Sequence, residues 1–121
     1  MPDPMESLVR VFETAADDLA AADYADAWPI GTVALEVASS NEVLRTATAE
    51  VFEEWVGAAT QWFGRWVAEP RTVQSLAYSM IMMLEGAFML GRAARDPEPL
   101  RVAGRSMATS LRTAITAAGE D

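Results

Sequence analysis

The sequence predicts an all-α fold of five helices, and three observations predict it. Apolar residues recur at helical spacing along nearly the whole chain, and the alternating Val–Ile–Thr pattern of strands is missing. Proline, Asp, Asn and Ser stand where helices would start and stop. The 121 residues are 51% hydrophobic and only 22% charged, which is enough apolar material for one packed domain and too much for a disordered chain.

The first segment runs from about Pro4 to Ala22. Leu8, Val11, Phe12, Ala15 and Leu19 share one face, and Glu6, Arg10, Glu13, Asp17 and Asp18 share the other. Asp23 to Asp26 reads as a polar break. The second segment starts at Pro29, a residue favoured in a first turn because its missing N–H would have no partner there. It runs to about Ser39, with Ile30, Val33, Ala34 and Val37 at helical spacing.

Ser39 and Glu42 have capping-box spacing, with Ser40 and Asn41 as alternative caps, so a third helix begins near Glu42. It is expected to continue to about Ala68, roughly 40 Å at 1.5 Å per residue. Pro70 is the expected stop, because the residue before proline is pushed out of the α region. The fourth helix, about Arg71 to Arg95, is apolar around nearly its whole circumference between Leu76 and Leu90. Such a helix is buried on more than one side, so in a small chain its second side calls for another copy. Asp96-Pro97 then reads as N-cap and first helical position of a fifth helix, which runs to about Ala118 with Gly119 as its stop.

Composition excludes whole classes of function. There is no cysteine and no histidine, which removes disulfides, thiol and Ser–His nucleophiles, and histidine metal sites. Eighteen acidic residues against nine arginines give a net charge of −9, so direct contact of this chain with a nucleic-acid backbone is not expected. No signal peptide is read at the N-terminus, and Leu76–Leu90 is short of the ~20 residues that span a bilayer. A cytoplasmic, non-membrane protein is the expectation. Glu36, Glu50, Glu53, Glu54 and Glu85 lack the Glu-x-x-His pairing of di-iron bundles, and no phosphate loop occurs. Neither an enzyme nor a cofactor or metal site is expected.

Three constellations remain. Phe52, Trp55, Trp62 and Trp66 fall on one helix face and are either plain core or the wall of a cavity for a flat apolar ligand, with methionines opposite. Glu85 lies within the apolar Met80–Leu90 run. It is either solvated in a gap or buried, and a buried carboxylate must be paired, hydrogen-bonded or protonated. Gly86, Ala87 and Gly91, with Gly104 and Ala108, allow close helix crossing, either within one chain or in a four-helix seam between two.

Trp28-Pro29-Ile30, Phe52 to Trp55, and Leu84-Glu85-Gly86-Ala87 leading into Arg95-Asp96-Pro97-Glu98-Pro99-Leu100 occur in an informative order. In that order and spacing the chain resembles the C-terminal domain of TetR-family transcriptional regulators of the LmrA type, over about Leu8 to Ala118. It departs from them at Ala27-Trp28, where a small Gly-Cys pair is usual, which places a large ring where relatives leave space. Such regulators carry an N-terminal helix-turn-helix unit with no counterpart in these 121 residues. The resemblance thus implies a sensor whose DNA contact runs through such a unit.

It further implies a homodimer built by the last two helices as a four-helix bundle, and a hydrophobic small-molecule effector held in each subunit that relieves repression. The expected effector pocket comprises Trp28, Phe52, Trp55, Trp62, Trp66, Met80, Met83 and Glu85. The expected dimer seam comprises Leu84, Phe88, Gly91, Gly104, Ala108, Leu111 and Ile115. A helical interaction scaffold, or a small-molecule carrier with no DNA-binding role, is the alternative.

Overall fold

The computed structural model describes residues 3–24 and 41–119, and the described residues form four helices and no strand. They are α1 (Pro4–Ala21), α2 (Glu42–Phe63), α3 (Pro70–Ala94) and α4 (Glu98–Gly119). The helix expected over Pro29–Ser39, and Trp28 before it, lie outside the described residues.

Each start is fixed by a side chain that accepts from otherwise unpartnered N–H groups of the first turn. The Met5 N–H donates to Asp3 Oδ1 at 2.9 Å, and Pro4 fills the first helical position. Among the candidate caps of α2, Asn41 takes the role, its Oδ1 accepting from the Leu44 N–H at 3.0 Å. At the hairpin between α3 and α4, the Glu98 N–H donates to Asp96 Oδ1 at 2.9 Å. Pro97 sits one residue ahead of the helix, and Gly119 is still helical rather than its stop.

Pro70 opens α3 instead of closing α2. Glu69 caps the helix: its carboxylate accepts from the Arg71 N–H at 3.1 Å and from the Thr72 N–H and hydroxyl at 2.7 and 2.8 Å. Proline suits a first turn as well as it suits a stop, so spacing alone does not separate the two roles. α2 consequently ends at Phe63, five residues before Ala68, and residues 64–69 reverse the chain.

The tightest pairing joins the ends of the chain: α1 lies along α4, α4 along α3, and α3 along α2. The centre of the core is Leu8, Phe12 and Leu19 from α1, Phe63 from α2, and Leu100, Met107 and Leu111 from α4, all essentially inaccessible to solvent. α1 and α4 are further tied by Arg101, which donates to Glu13 at 3.2 Å and Asp17 at 3.4 Å. By length and composition α3 is apolar enough to cross a membrane. In this fold Val73, Leu76, Ala77, Leu84, Ala87 and Phe88 direct part of that apolarity into the protein core, while Met82, Met89 and Leu90 stay exposed.

α1 and α3 end side by side in the same way. After α1, Asp23 and Tyr24 take positive φ (52° and 61°), and the Tyr24 N–H returns to the Leu19 carbonyl at 2.9 Å. After α3, Arg95 takes φ 54°, and the Asp96 N–H returns to the Gly91 carbonyl at 3.0 Å. Both are Schellman ends with a non-glycine residue in the left-handed position. Arg95 joins them, pairing with Asp23 at 2.6 Å and lying 5.4 Å from the centre of the Tyr24 ring.

Candidate functional site: an apolar cavity between three helices

Between α1, α2 and α3 lies a cavity of about 360 Å³, within the usual range for small-molecule pockets. α1 contributes Ser7, Leu8 and Val11. From α2 come Trp55 and Trp62, seven residues and two turns apart, with Ala58 and Ala59 between them. From α3 come Met80, Ile81 and Leu84. The space follows from residue size: between Trp55 and Trp62 the cavity-lining residues of α2 are two alanines rather than large side chains.

Trp55, Trp62 and Met80 are thus the expected pocket residues that the fold brings together on the cavity. Phe52 meets Trp55 edge to face at 5.7 Å but opens onto a separate outer groove with Val56 and Tyr78. Trp66 packs behind Trp62, with ring centres 6.3 Å apart and tilted by 58°. Its indole N–H is buried and finds no acceptor among the described residues. Met83 faces the other way, into the groove between α3 and α4. Glu85 follows Leu84 but does not line the cavity. One of its carboxylate oxygens is buried without a hydrogen-bond partner among the described residues, and burial raises its pKa above the usual carboxylate value.

The cavity residues that the sequence does not assign to a pocket are Ser7, Leu8 and Val11 on α1, Ala58 and Ala59 on α2, and Ile81 and Leu84 on α3, the last expected at the dimer seam. α1 showed its apolar face in the sequence, but nothing there said which helix that face meets. The Trp–Ala–Ala–Trp arrangement at positions 55, 58, 59 and 62 was the available signal, since a plain core face would carry larger residues between the two rings.

The seam residues expected between two chains lie mostly inside one. Phe88, Gly91, Gly104, Ala108 and Leu111 are buried in the chain's own core, and Leu84 is buried where it borders the cavity. The two glycines have intrachain reasons. A Cβ at Gly104 would stand 2.7 Å from Phe12 Cβ, and one at Gly91 would stand 2.9 Å from the Asp96 carbonyl and 3.0 Å from Leu19. Ile115 is half-buried against the same core. The apolar surface that α3 and α4 leave exposed is displaced from these positions and includes Met82, Leu90 and Val102.

No cluster of three or more acidic side chains able to hold a metal ion occurs among the described residues. No curated protein and no solved structure matches the chain significantly. A family model does, described as the C-terminal domain of LmrA/YxaF-like transcriptional regulators, and it matches residues 4–106, well over half of the chain. With that match added to the motif order and the all-helical architecture, the chain belongs to the LmrA/YxaF-like C-terminal domain family of TetR transcriptional regulators.

Proposed function

We propose that this chain is the effector-sensing and dimerising domain of a transcriptional repressor, and that the cavity between α1, α2 and α3 is its ligand site. The cavity is the single observation that carries the reading. Its lining is mostly apolar, with the Ser7 hydroxyl and the indole N–H groups of Trp55 and Trp62 as its polar side-chain groups, and α1 bounds it on one side. In an intact regulator α1 would connect to the DNA-reading unit, so a ligand that fits only one placement of α1 shifts the balance between operator-bound and released forms. Coupling of ~1–3 kcal/mol between the two sites is the usual scale. Phe52 and Trp66, packed on Trp55 and Trp62, and Met83 and Glu85, which flank Leu84 in the chain, complete the proposed sensor, and Trp28 is assigned to it on the family resemblance alone.

Dimerisation through the α3–α4 hairpin is supported by the apolar side chains it leaves exposed: Leu90 and Val102, 64% and 45% exposed, border the groove between the two helices, and Met82 is 62% exposed elsewhere on α3. That much apolar surface on a continuous helix pair is what a partner copy would cover. Tryptophan fluorescence tests the sensor: saturable quenching by aromatic compounds, lost in Trp62→Ala, supports it. A broad panel that leaves the emission unchanged favours a scaffold without a ligand. Mass in dilute solution tests the dimer, and a stable monomer would contradict it.

A further inference from the structure

We infer that the cavity is selective by charge, accepting neutral or cationic aromatic ligands and excluding anionic ones. This rests on the cavity being the ligand site, and it narrows the class of ligand beyond "hydrophobic".

The argument begins in the sequence. All nine basic residues are arginine, and none falls in residues 11–44, 46–64 or 72–91. Apart from Ser7 and Leu8, every described wall of the cavity comes from those stretches. The segment 25–40 carries no basic residue either. The arginines are committed elsewhere. Arg10 and Arg112 line a separate groove with Glu6 and Glu13, while Arg45, paired with Glu42, Arg65 and Arg71 are exposed to solvent. Arg92, the next basic residue along α3, is eight residues beyond Leu84, about 12 Å along the helix axis.

A carboxylate or phosphate entering this cavity would lose its water and meet no counter-charge, the most unfavourable way to bury an ion. The Ser7 hydroxyl and the indole N–H groups of Trp55 and Trp62 are neutral donors and do not replace an ion pair. The net charge of −9 repels an anion before it arrives and attracts a cation. The indoles of Trp55 and Trp62 belong to the cavity wall, and an indole's electron-rich face favours a delocalised or quaternary cation and is indifferent to a neutral ring.

The test is calorimetric titration of the chain with three ligands of one ring system: naphthylmethanol, naphthylmethyl-trimethylammonium and naphthoate. The neutral and cationic members are expected to bind saturably, and naphthoate at least about tenfold more weakly, a difference of about 1.4 kcal/mol. The discrimination should persist at ~1 M salt, because desolvation is not screened as the long-range field is. Ser7→Lys, checked for helicity, should raise naphthoate affinity and lower that of the cation. Should naphthoate bind as tightly as the others, the selectivity is overturned while the ligand site stands. Should none of the three bind, the ligand site itself falls, and the selectivity with it.

Discussion

Gly104 of α4 lies directly against Phe12 of α1, so close that a Cβ on the glycine would stand 2.7 Å from the phenylalanine Cβ. The close crossing is therefore made inside one subunit, between the helix at its N-terminus and the helix at its C-terminus. Gly104→Ala is expected to destabilise the fold by ~1–3 kcal/mol, because Phe12 Cβ is tied to its backbone and cannot swing away. The improved helix propensity of alanine, about 1 kcal/mol, offsets only part of that cost. Gly57 has nothing within 4 Å of its own Cβ position, so Gly57→Ala should stabilise by up to about 1 kcal/mol. Urea unfolding of the two variants should move the midpoint in opposite directions, and equal shifts would contradict the packing argument.

The Asp23–Arg95 pair joins the ends of α1 and α3 but is solvent-exposed, with 84% and 61% of the side chains accessible. Exposed pairs of this kind contribute ~0–1 kcal/mol and weaken with salt. A double-mutant cycle on Asp23→Ala and Arg95→Ala should give a coupling below about 1 kcal/mol that vanishes near 1 M salt. Arg95→Gly is a separate case, since glycine takes the left-handed φ of 54° without a Cβ penalty. That variant should be no less stable than the parent at high salt, as read by thermal unfolding.

Two carboxylates give pH dependences of opposite sign. Burial raises the Glu85 pKa in the folded state above its ordinary value of 4.5, so the folded chain holds that proton more tightly than the unfolded one. Stability from this group is highest below 4.5 and falls as pH rises toward the folded pKa. Glu69 is the reverse. The Arg71 N–H, with the Thr72 hydroxyl and N–H, favours its ionised form and lowers its pKa. Its contribution is present above 4.5 and is lost as pH falls through the lowered value. Glu85→Gln should therefore gain stability relative to the parent on going from pH 4 to pH 7, and Glu69→Gln should lose it. Chemical denaturation at the two pH values checks both signs.

Filling the cavity should separate binding from folding. Ala58 is exposed in the chain and borders the cavity between Trp55 and Trp62, so a large ring there has room outside the close-packed core. Ala58→Trp is expected to change stability by less than about 1 kcal/mol while weakening aromatic ligands by more than about tenfold. Ligand titration beside an unfolding curve decides this. Loss of binding together with loss of the fold would point to a structural role for Ala58.

Much of this architecture was legible because it is local. Asp3, Asn41 and Asp96 announce helix starts through short-range chemistry, and the 3.6-residue period fixed which face of each helix is apolar. Which helix meets that face was not legible. Gly104 and Gly91 signalled close approach correctly, but the partners are Phe12 and the Leu19–Asp96 region of the same chain, a choice made by tertiary packing. Pro70 was ambiguous for a related reason, since only the Glu69 side chain on the Arg71 and Thr72 N–H groups shows that it begins a helix. At the cavity, Trp55, Trp62 and Met80 stood out by size and spacing. Ala58 and Ala59, which make the space, did not, because small residues attract notice only once the large ones around them are placed.

The same distinction decides how the proposed dimer should be probed. Phe88 and Leu111 are buried inside the subunit, so replacing either with alanine should cost ~2–5 kcal/mol of folding stability and say nothing specific about a partner. Leu90 and Val102 are exposed on the outer face of the hairpin and border the same groove between α3 and α4. Leu90→Glu combined with Val102→Glu should leave the helicity and unfolding of an isolated subunit nearly unchanged, yet place like charges across a two-fold seam and dissociate it. Sedimentation equilibrium is expected to show the parent at twice the chain mass of 13.1 kDa and the double variant at that mass itself. A double variant that remains dimeric would move the seam off this face of the hairpin.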